Sequence, residues 1–148
     1  MDIRLPKKVL NIIDTFESKK FEIYIVGGAV RDILTKKIVY DWDFTTNATP
    51  EEVLKMFPDA YYTNEFGMVG LPPEKEGERP YEITTFRTEH GYSDSRRPDK
   101  VKWGKTLEED LKRRDFTINA LAFKIRSTKS EIRNKSQISN NSSKRQSN

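Results

Sequence analysis

The sequence predicts an α+β domain in which helices flank a small β-sheet, followed by a disordered C-terminal tail. Three observations support this fold class. Residues 5–18 carry apolar side chains at spacings of three and four, which is typical of an amphipathic helix. Residues 21–26 are rich in β-branched and aromatic side chains and stop at two glycines, which is typical of a strand. Residues 126–148 consist mainly of Ser, Asn, Lys and Arg, a composition that does not support a packed core.

The remaining elements follow from local patterns between the first strand and the tail. Thr49 begins a helix, because its hydroxyl can cap the end, Pro50 has a preset φ angle and Glu52 can bond back to the cap. Residues 88–105 are polar and interrupted by Gly, Pro and Ser, which predicts a loop. The patterns predict strands at 40–45, 59–63, 67–71 and 81–87, and helices at 29–36, 49–58, 106–113 and 116–123.

Length and composition exclude several classes of protein. A chain of 148 residues fits one domain rather than two. No apolar run approaches the roughly 18 residues that a membrane span needs, and the N-terminus has no secretory pattern. The sequence contains no cysteine, which excludes disulfides and thiolate-bound zinc and fits a reducing cytoplasm.

The net charge of +4 belongs to the tail. Residues 126–148 hold six Lys/Arg and one Glu, which leaves 21 basic and 22 acidic residues for 1–125. The folded part is therefore close to neutral, and bulk charge gives no argument for RNA binding there.

A pair of carboxylates is the first chemical signal. Asp41 and Asp43 stand two residues apart on a predicted strand, so both project to one face while Trp42 and Phe44 face the core. Paired carboxylates that leave coordination positions open suit Mg²⁺ bound partly by substrate phosphates. Taken alone, such a pair is more often a solvated strand edge.

Two glycines join the first strand to the following helix. Gly27 and Gly28 let backbone N–H groups approach a phosphate closely, and Arg31 on the next turn is within reach of the same phosphates. An ordinary strand-to-helix turn is an equal alternative for this stretch alone.

Glu82 supplies a third carboxylate from a separate predicted strand, with Thr84 on the same face. Two metal ions about 3.5–4 Å apart need ligands from more than one segment, and Glu82 meets that need. Taken alone, Glu82 is an exposed strand glutamate. The acids at 108–110 are interpreted differently, as residues favoured near a helix N-terminus.

Five runs of sequence, in order and spacing, resemble one protein family. They read YIVGGAVRD (24–32), DWDFTT (41–46), EITTFR (82–87), TLEEDL (106–111) and RRDFTINA (113–120). Over residues 6–124 the chain resembles the bacterial/eukaryotic-type tRNA nucleotidyltransferase (CCA-adding) and bacterial poly(A) polymerase family. The resemblance implies a DNA polymerase β-like catalytic head, a small mixed sheet flanked by helices. We therefore expect this head over 1–125 and a disordered basic tail over 126–148.

The resemblance also implies roles for individual residues. The family's catalytic metal ligands match Asp41, Asp43 and Glu82. The resemblance therefore also implies two bound Mg²⁺ ions. The family's nucleotide-binding positions match Gly27, Gly28, Arg31, Arg114 and Asn119. Asp115 either holds the geometry of its motif or contacts substrate, and we favour the first role.

The activity implied is attack of an RNA 3′-hydroxyl on the α-phosphorus of a nucleoside triphosphate, with release of pyrophosphate. The implied partners are the 3′ end of an RNA such as tRNA, together with CTP and ATP. The sequence does not choose between CCA, CC, A alone and poly(A) as the product.

The tail at 126–148 does not resemble the helical neck, body and tail that follow the head in this family. Because the neck supplies the side chains that pair with the incoming base, we expect an incomplete head that needs a missing neck and body. The chain is then one piece of a split enzyme with a second polypeptide, a truncated or frameshifted product, or a stand-alone transferase of loose specificity. A different class of interpretation is a non-catalytic RNA-binding remnant, against which the three intact acids argue.

Overall fold

The computed structural model describes residues 4–63, 67–94, 97–114 and 121–125, with the backbone alone at 89–94 and 97–102. Four helices and eight strands are present in these ranges. They are α1 (Lys7–Ser18), β1 (Ile23–Val26), α2 (Gly28–Leu34), β2 (Asp43–Thr46), α3 (Pro50–Met56), β3 (Tyr61–Tyr62), β4 (Met68–Leu71), β5 (Tyr81–Thr85), β6 (Arg87–Asp94), β7 (Arg97–Trp103), α4 (Leu107–Lys112) and β8 (Ala122–Phe123).

Six of the strands form one mixed sheet, in the order β3-β4-β5-β2-β1-β8. The central strands β2 and β5 run parallel, and the other neighbouring pairs are antiparallel. Strands β6 and β7 form a separate antiparallel hairpin. The predicted α+β class, a small mixed sheet with helices, is confirmed.

The hydrophobic core covers one face of the six-stranded sheet. Ile25, Phe44 and Ile83, from β1, β2 and β5, are fully buried in one cluster with the apolar stripe of α1 and α2. Burying a side chain of this size stabilises the fold by about 1.5–3 kcal/mol. Trp42 belongs to the same cluster, so the prediction that Trp42 and Phe44 face the core is confirmed.

The opposite face of the central strands is polar. Because successive side chains alternate across a strand, burying Phe44 and Ile83 places their neighbours on the other side. Asp43 and Thr45 on β2 therefore share a face with Glu82 and Thr84 on β5. This face carries the candidate site.

Helix α3 begins with the capping box that the sequence predicts. The Glu52 amide donates to the Thr49 hydroxyl at 3.3 Å, and the Thr49 amide donates to the Glu52 carboxylate at 2.8 Å. Pro50 occupies the first helical turn. The box fixes where the chain turns away from β2, since α3 starts only four residues after that strand.

The predicted loop at 88–105 is wrong for most of its length. Strands β6 and β7 form a hairpin in which Arg87 pairs with Trp103 and Thr88 with Lys102, with an irregularity near Tyr92. The segment is mostly polar, so it lacks the sustained apolar alternation by which a half-buried strand is recognised. Backbone pairing between β6 and β7, rather than burial of side chains, identifies the hairpin.

The predicted helix at 116–123 is also wrong at its C-terminal end. Ala122 and Phe123 form β8, which pairs with Val26 and Ile25 at the free edge of the sheet. The pairing of β8 depends on β1, which lies almost a hundred positions earlier in the chain. Local periodicity in the sequence does not indicate such a pairing. The rest of that prediction, and the tail at 126–148, lie outside the described residues.

Among the helices that the structure describes, none is both long and apolar enough to cross a lipid bilayer.

Candidate active site

Asp43 and Glu82 stand side by side on the two parallel strands at the centre of the sheet. The strands pair with Asp43 opposite Glu82, and the amide of Glu82 donates to the carbonyl of Trp42 at 3.0 Å. Glu82 is the neighbouring group with the largest effect on the pKa of Asp43. The structure thus brings together two acids, 39 positions apart, that the sequence proposed for one site.

Burial and this pairing change the acidity of Asp43. The pKa of Asp43 is raised to about 7. The largest cause is removal of the carboxyl group from water, followed by hydrogen bonding to Glu82, the charge of Glu82 and the charge of Asp41. The charge of Arg114 acts in the opposite direction and lowers the pKa. Two carboxylates at hydrogen-bonding distance repel each other when both are ionised. Asp43 is therefore close to half protonated near pH 7, and a bound cation would favour its ionised form.

Asp41 has a different environment from the one its spacing predicts. It precedes β2 instead of lying within a strand that begins at 40, and its half-exposed carboxylate forms an ion pair with Arg79. The Arg79 Nε lies 3.1 Å from Oδ1 and Nη1 lies 3.2 Å from Oδ2. Asp41 is still close enough to influence Asp43 electrostatically.

The glycine turn borders the acid pair. Gly27 has a φ of 71°, and a Cβ added there would lie 3.5 Å from Oδ2 of Asp43. A Cβ added at Gly28 would lie 3.3 Å from Nη2 of Arg31. The backbone of the turn therefore passes directly beside Asp43, and the Arg31 guanidinium lies over the second glycine.

Two arginines that the sequence assigned to nucleotide binding, Arg31 and Arg114, lie near this region. Arg31 Nε donates to Asp32 at 3.0 Å, and the Arg31 side chain is half exposed. Arg114 follows α4 and is near enough to Asp43 to lower its pKa. Asn119 and Asp115, the other residues assigned from that motif, lie outside the described residues.

The sequence interpretation missed the role of Asp110. Rather than lying on the surface of a helix N-terminus, it is fully buried and accepts hydrogen bonds from Thr45, Arg87, Arg113 and Arg114. A signal was available, because Asp110 stands three and four positions before Arg113 and Arg114, the spacing at which side chains meet along helical backbone.

The donor set of this site fits a divalent cation. Asp43 and Glu82 offer two adjacent carboxylates, the hard oxygen ligands that Mg²⁺ prefers. The raised pKa of Asp43 shows that positive charge is favoured at this position. In the part of the chain that the structure describes, no group of three His, Cys, Asp or Glu side chains is arranged as a complete metal site. Completing it with Asp41 requires the Arg79 ion pair to open.

A family model gives the comparison that decides the classification. The model of the poly A polymerase head domain matches residues 23–136. The chain belongs to this family. The match spans the glycine turn, the acid pair and the Asp110 network, so the sequence resemblance to this group is confirmed.

Curated relatives of this head domain are CCA-adding enzymes. The enzyme of Lactobacillus helveticus is 50% identical over 119 residues, which are 80% of this chain and 29% of the relative. The enzyme of Bacillus cereus strain B4264 is 48% identical over 117 residues, which are 78% of this chain and 29% of the relative. The chain thus spans less than a third of the length of these relatives.

Solved structures show the same head. The CCA-adding enzyme of Bacillus stearothermophilus in complex with CTP aligns with a TM-score of 0.66 at 37% identity, covering 80% of this chain and 27% of that one. A tRNA nucleotidyltransferase complexed with a primer tRNA and an incoming ATP analog aligns with a TM-score of 0.52 at 34% identity, covering 75% of this chain and 30% of that one.

Proposed function

We propose that this chain is the catalytic head of a template-independent RNA 3′-end nucleotidyltransferase. It transfers CMP or AMP from CTP or ATP to the 3′-hydroxyl of a tRNA or another RNA and releases pyrophosphate. The observation that carries the proposal is the Asp43–Glu82 pair beside the Gly27 turn. The CTP, tRNA and ATP-analog complexes of related structures support the choice of substrates.

Asp43 and Glu82, joined by Asp41 when Arg79 releases it, are the proposed ligands of Mg²⁺, two ions in the full site. When bound, these ions supply activation of the attacking hydroxyl and neutralisation of charge on the leaving phosphates. Asp43 must be ionised to bind the cation, which its pKa of about 7 makes accessible near neutral pH.

The remaining site residues bind and orient the triphosphate in this proposal. The absence of side chains at Gly27 and Gly28 lets phosphate oxygens approach the backbone N–H groups of the turn. Arg31 and Arg114 present guanidinium groups, which suit phosphate recognition through paired N–H donors. Asn119 contributes to the same nucleotide site by its position in the matched motif.

Base selection is assigned to a neck and body that are supplied from elsewhere, either in the same protein or by a second polypeptide. We propose that the head alone fixes the triphosphate and the reacting phosphorus. The cytoplasm is the proposed location.

A labelling experiment tests the function. The chain is incubated with tRNA that lacks its 3′ end, with Mg²⁺ and with each labelled nucleoside triphosphate in turn. We expect incorporation that is lost in Asp43→Asn and in Asp41→Ala but retained in Asp59→Asn, which removes an exposed carboxylate from the turn after α3. Incorporation that survives Asp43→Asn would remove the assigned site. A folded protein that binds Mg-ATP but incorporates no label would favour an incomplete head that needs the missing neck and body.

A further inference from the structure

Asp110 is a buried carboxylate with both oxygens fully engaged. Its exposure is 0%, although it lies on a short helix that follows the exposed end of a hairpin. Oδ1 accepts from the Arg87 amide at 3.2 Å and from Arg113 at 3.1 Å. Oδ2 accepts from the Thr45 hydroxyl at 3.3 Å and from Arg114, through Nε at 3.3 Å and Nη2 at 3.1 Å.

These contacts tie α4 to the strand that carries the acid pair. Thr45 lies two residues beyond Asp43 on β2, so both side chains project from the same face of the sheet. The Thr45 hydroxyl also contacts the carbonyl of Thr84, which lies two residues beyond Glu82. Asp110 is therefore hydrogen-bonded to the sheet face that carries the candidate site. Its contact there, Thr45, is the next residue on that face of β2 after Asp43.

Two guanidinium groups contact the buried carboxylate. Burying an isolated carboxylate is strongly unfavourable, and here the charges of Arg113 and Arg114 compensate that of Asp110. Arg114 directs Nε and one Nη, part of its set of five N–H donors, to Asp110. The charge of Arg114 also lowers the pKa of Asp43, so the guanidinium that Asp110 holds acts on the acid pair.

We propose that Asp110 is a positioning residue for nucleotide binding, which orients the Arg114 guanidinium toward the triphosphate while Thr45 anchors it to β2. This inference rests on the proposed function and adds a residue outside the assigned nucleotide and metal positions. A helix-capping role would explain an acid in the first turn of α4, but it would not require full burial or contact with two arginines.

The test measures binding of labelled ATP with Mg²⁺ by equilibrium dialysis. Asp110→Asn keeps the shape but loses the charge that orients Arg114, so we expect affinity to fall roughly tenfold, equivalent to about 1.4 kcal/mol. Glu108→Gln is the matched control, because it removes an exposed carboxylate from the same helix turn. We expect that variant to bind as the wild type does. Equal affinity of Asp110→Asn and Glu108→Gln would overturn the proposal.

A double-mutant cycle separates positioning from general support of the fold. If Asp110 acts through Arg114, then Asp110→Asn has no further effect in an Arg114→Ala background. The same loss in both backgrounds would show that Asp110 acts independently of Arg114 and would overturn the proposal.

A second variant covers the case in which Asp110→Asn does not fold. Arg114→Lys keeps the positive charge but lacks the planar fork that Asp110 orients, so we expect it to lose nearly as much affinity as Arg114→Ala. Full affinity in Arg114→Lys would overturn the positioning role. A folded wild-type protein that binds no Mg-ATP would overturn the proposed function together with this inference. If the wild type binds Mg-ATP and the Asp110→Asn and Arg114→Lys variants bind it with the same affinity, this inference alone is overturned.

Discussion

The guanidinium of Arg79 contacts both oxygens of Asp41, from Nε at 3.1 Å and from Nη1 at 3.2 Å. Both side chains are more than half exposed, and exposed pairs of this kind contribute only about 0–1 kcal/mol. The pair is therefore easily opened. Arg79 pairs with Asp41, the carboxylate that the resemblance assigns to metal binding. A metal ion that binds Asp41 therefore competes with Arg79.

Removal of Arg79 is expected to strengthen divalent-cation binding. In Arg79→Ala the Asp41 carboxylate is free, and a gain of up to about 1 kcal/mol corresponds to roughly fivefold tighter Mn²⁺ binding. Isothermal titration with Mn²⁺ measures the change. Lys75→Ala, which removes an exposed cation from the same loop, controls for the general loss of positive charge. Equal effects of the two substitutions would contradict a specific role of the ion pair.

The stability of the metal-free protein is expected to depend on the proton held by Asp43. The pKa of Asp43 is about 7 in the folded chain against 3.8 in the reference state, so the folded state binds more protons between these values. This contribution to the free energy of unfolding is therefore present at low pH, declines as the pH rises toward 7 and is absent above it.

Thermal unfolding in EDTA at pH 5 and pH 8 measures this effect. Asn imitates the protonated acid, so the Tm of Asp43→Asn should rise relative to wild type between pH 5 and pH 8. Each 1 kcal/mol corresponds to roughly 4–8 °C for a domain of about 100 residues. The difference between Asp59→Asn and wild type should not change with pH. If the difference in Tm between Asp43→Asn and wild type is also the same at pH 5 and pH 8, Asp43 titrates normally.

Gly27→Ala is expected to impair nucleotide binding more than it impairs folding. The positive φ of 71° strains any residue with a side chain, at a cost of about 1–3 kcal/mol, while the new Cβ would project toward Asp43 at the phosphate approach. Gly77→Ala is the matched control, because Gly77 has a φ of 88° and open space around its Cβ position. Thermal melts and ATP dialysis should show destabilisation in both and reduced affinity only in Gly27→Ala. Equal ATP affinity in the two variants would contradict phosphate binding at the turn.

The sequence alone supported the central part of the site. Alternation placed Asp43 on the face opposite Phe44 and put Glu82 on one face of a second strand with Thr84, whereas the register that sets the two acids side by side comes from the pairing of β2 with β5. Local patterns also located the capped start of α3 correctly. These features depend on short-range periodicity, which a sequence displays directly.

Other features depend on contacts between distant segments, and local patterns did not show them. The Arg79–Asp41 ion pair joins two loops 38 positions apart, and the Asp110 network joins α4 to β2 across 65 positions. Asp41 was placed in a strand because its spacing from Asp43 suited one, whereas pairing with β5 begins only at Asp43. The hairpin of β6 and β7 escaped prediction for the related reason that its pairing leaves no apolar pattern.

Manganese binding followed by electron paramagnetic resonance tests the account's main claim, that Asp43 and Glu82 together bind a divalent cation. Free Mn²⁺ gives a strong signal that diminishes on binding, so the wild-type chain, Asp43→Asn, Glu82→Gln and the control Asp59→Asn are titrated in parallel at pH 8. We predict saturable binding in the wild type and in Asp59→Asn, and its loss in each of the other two variants. Binding that is unchanged in Asp43→Asn or in Glu82→Gln would contradict the claim.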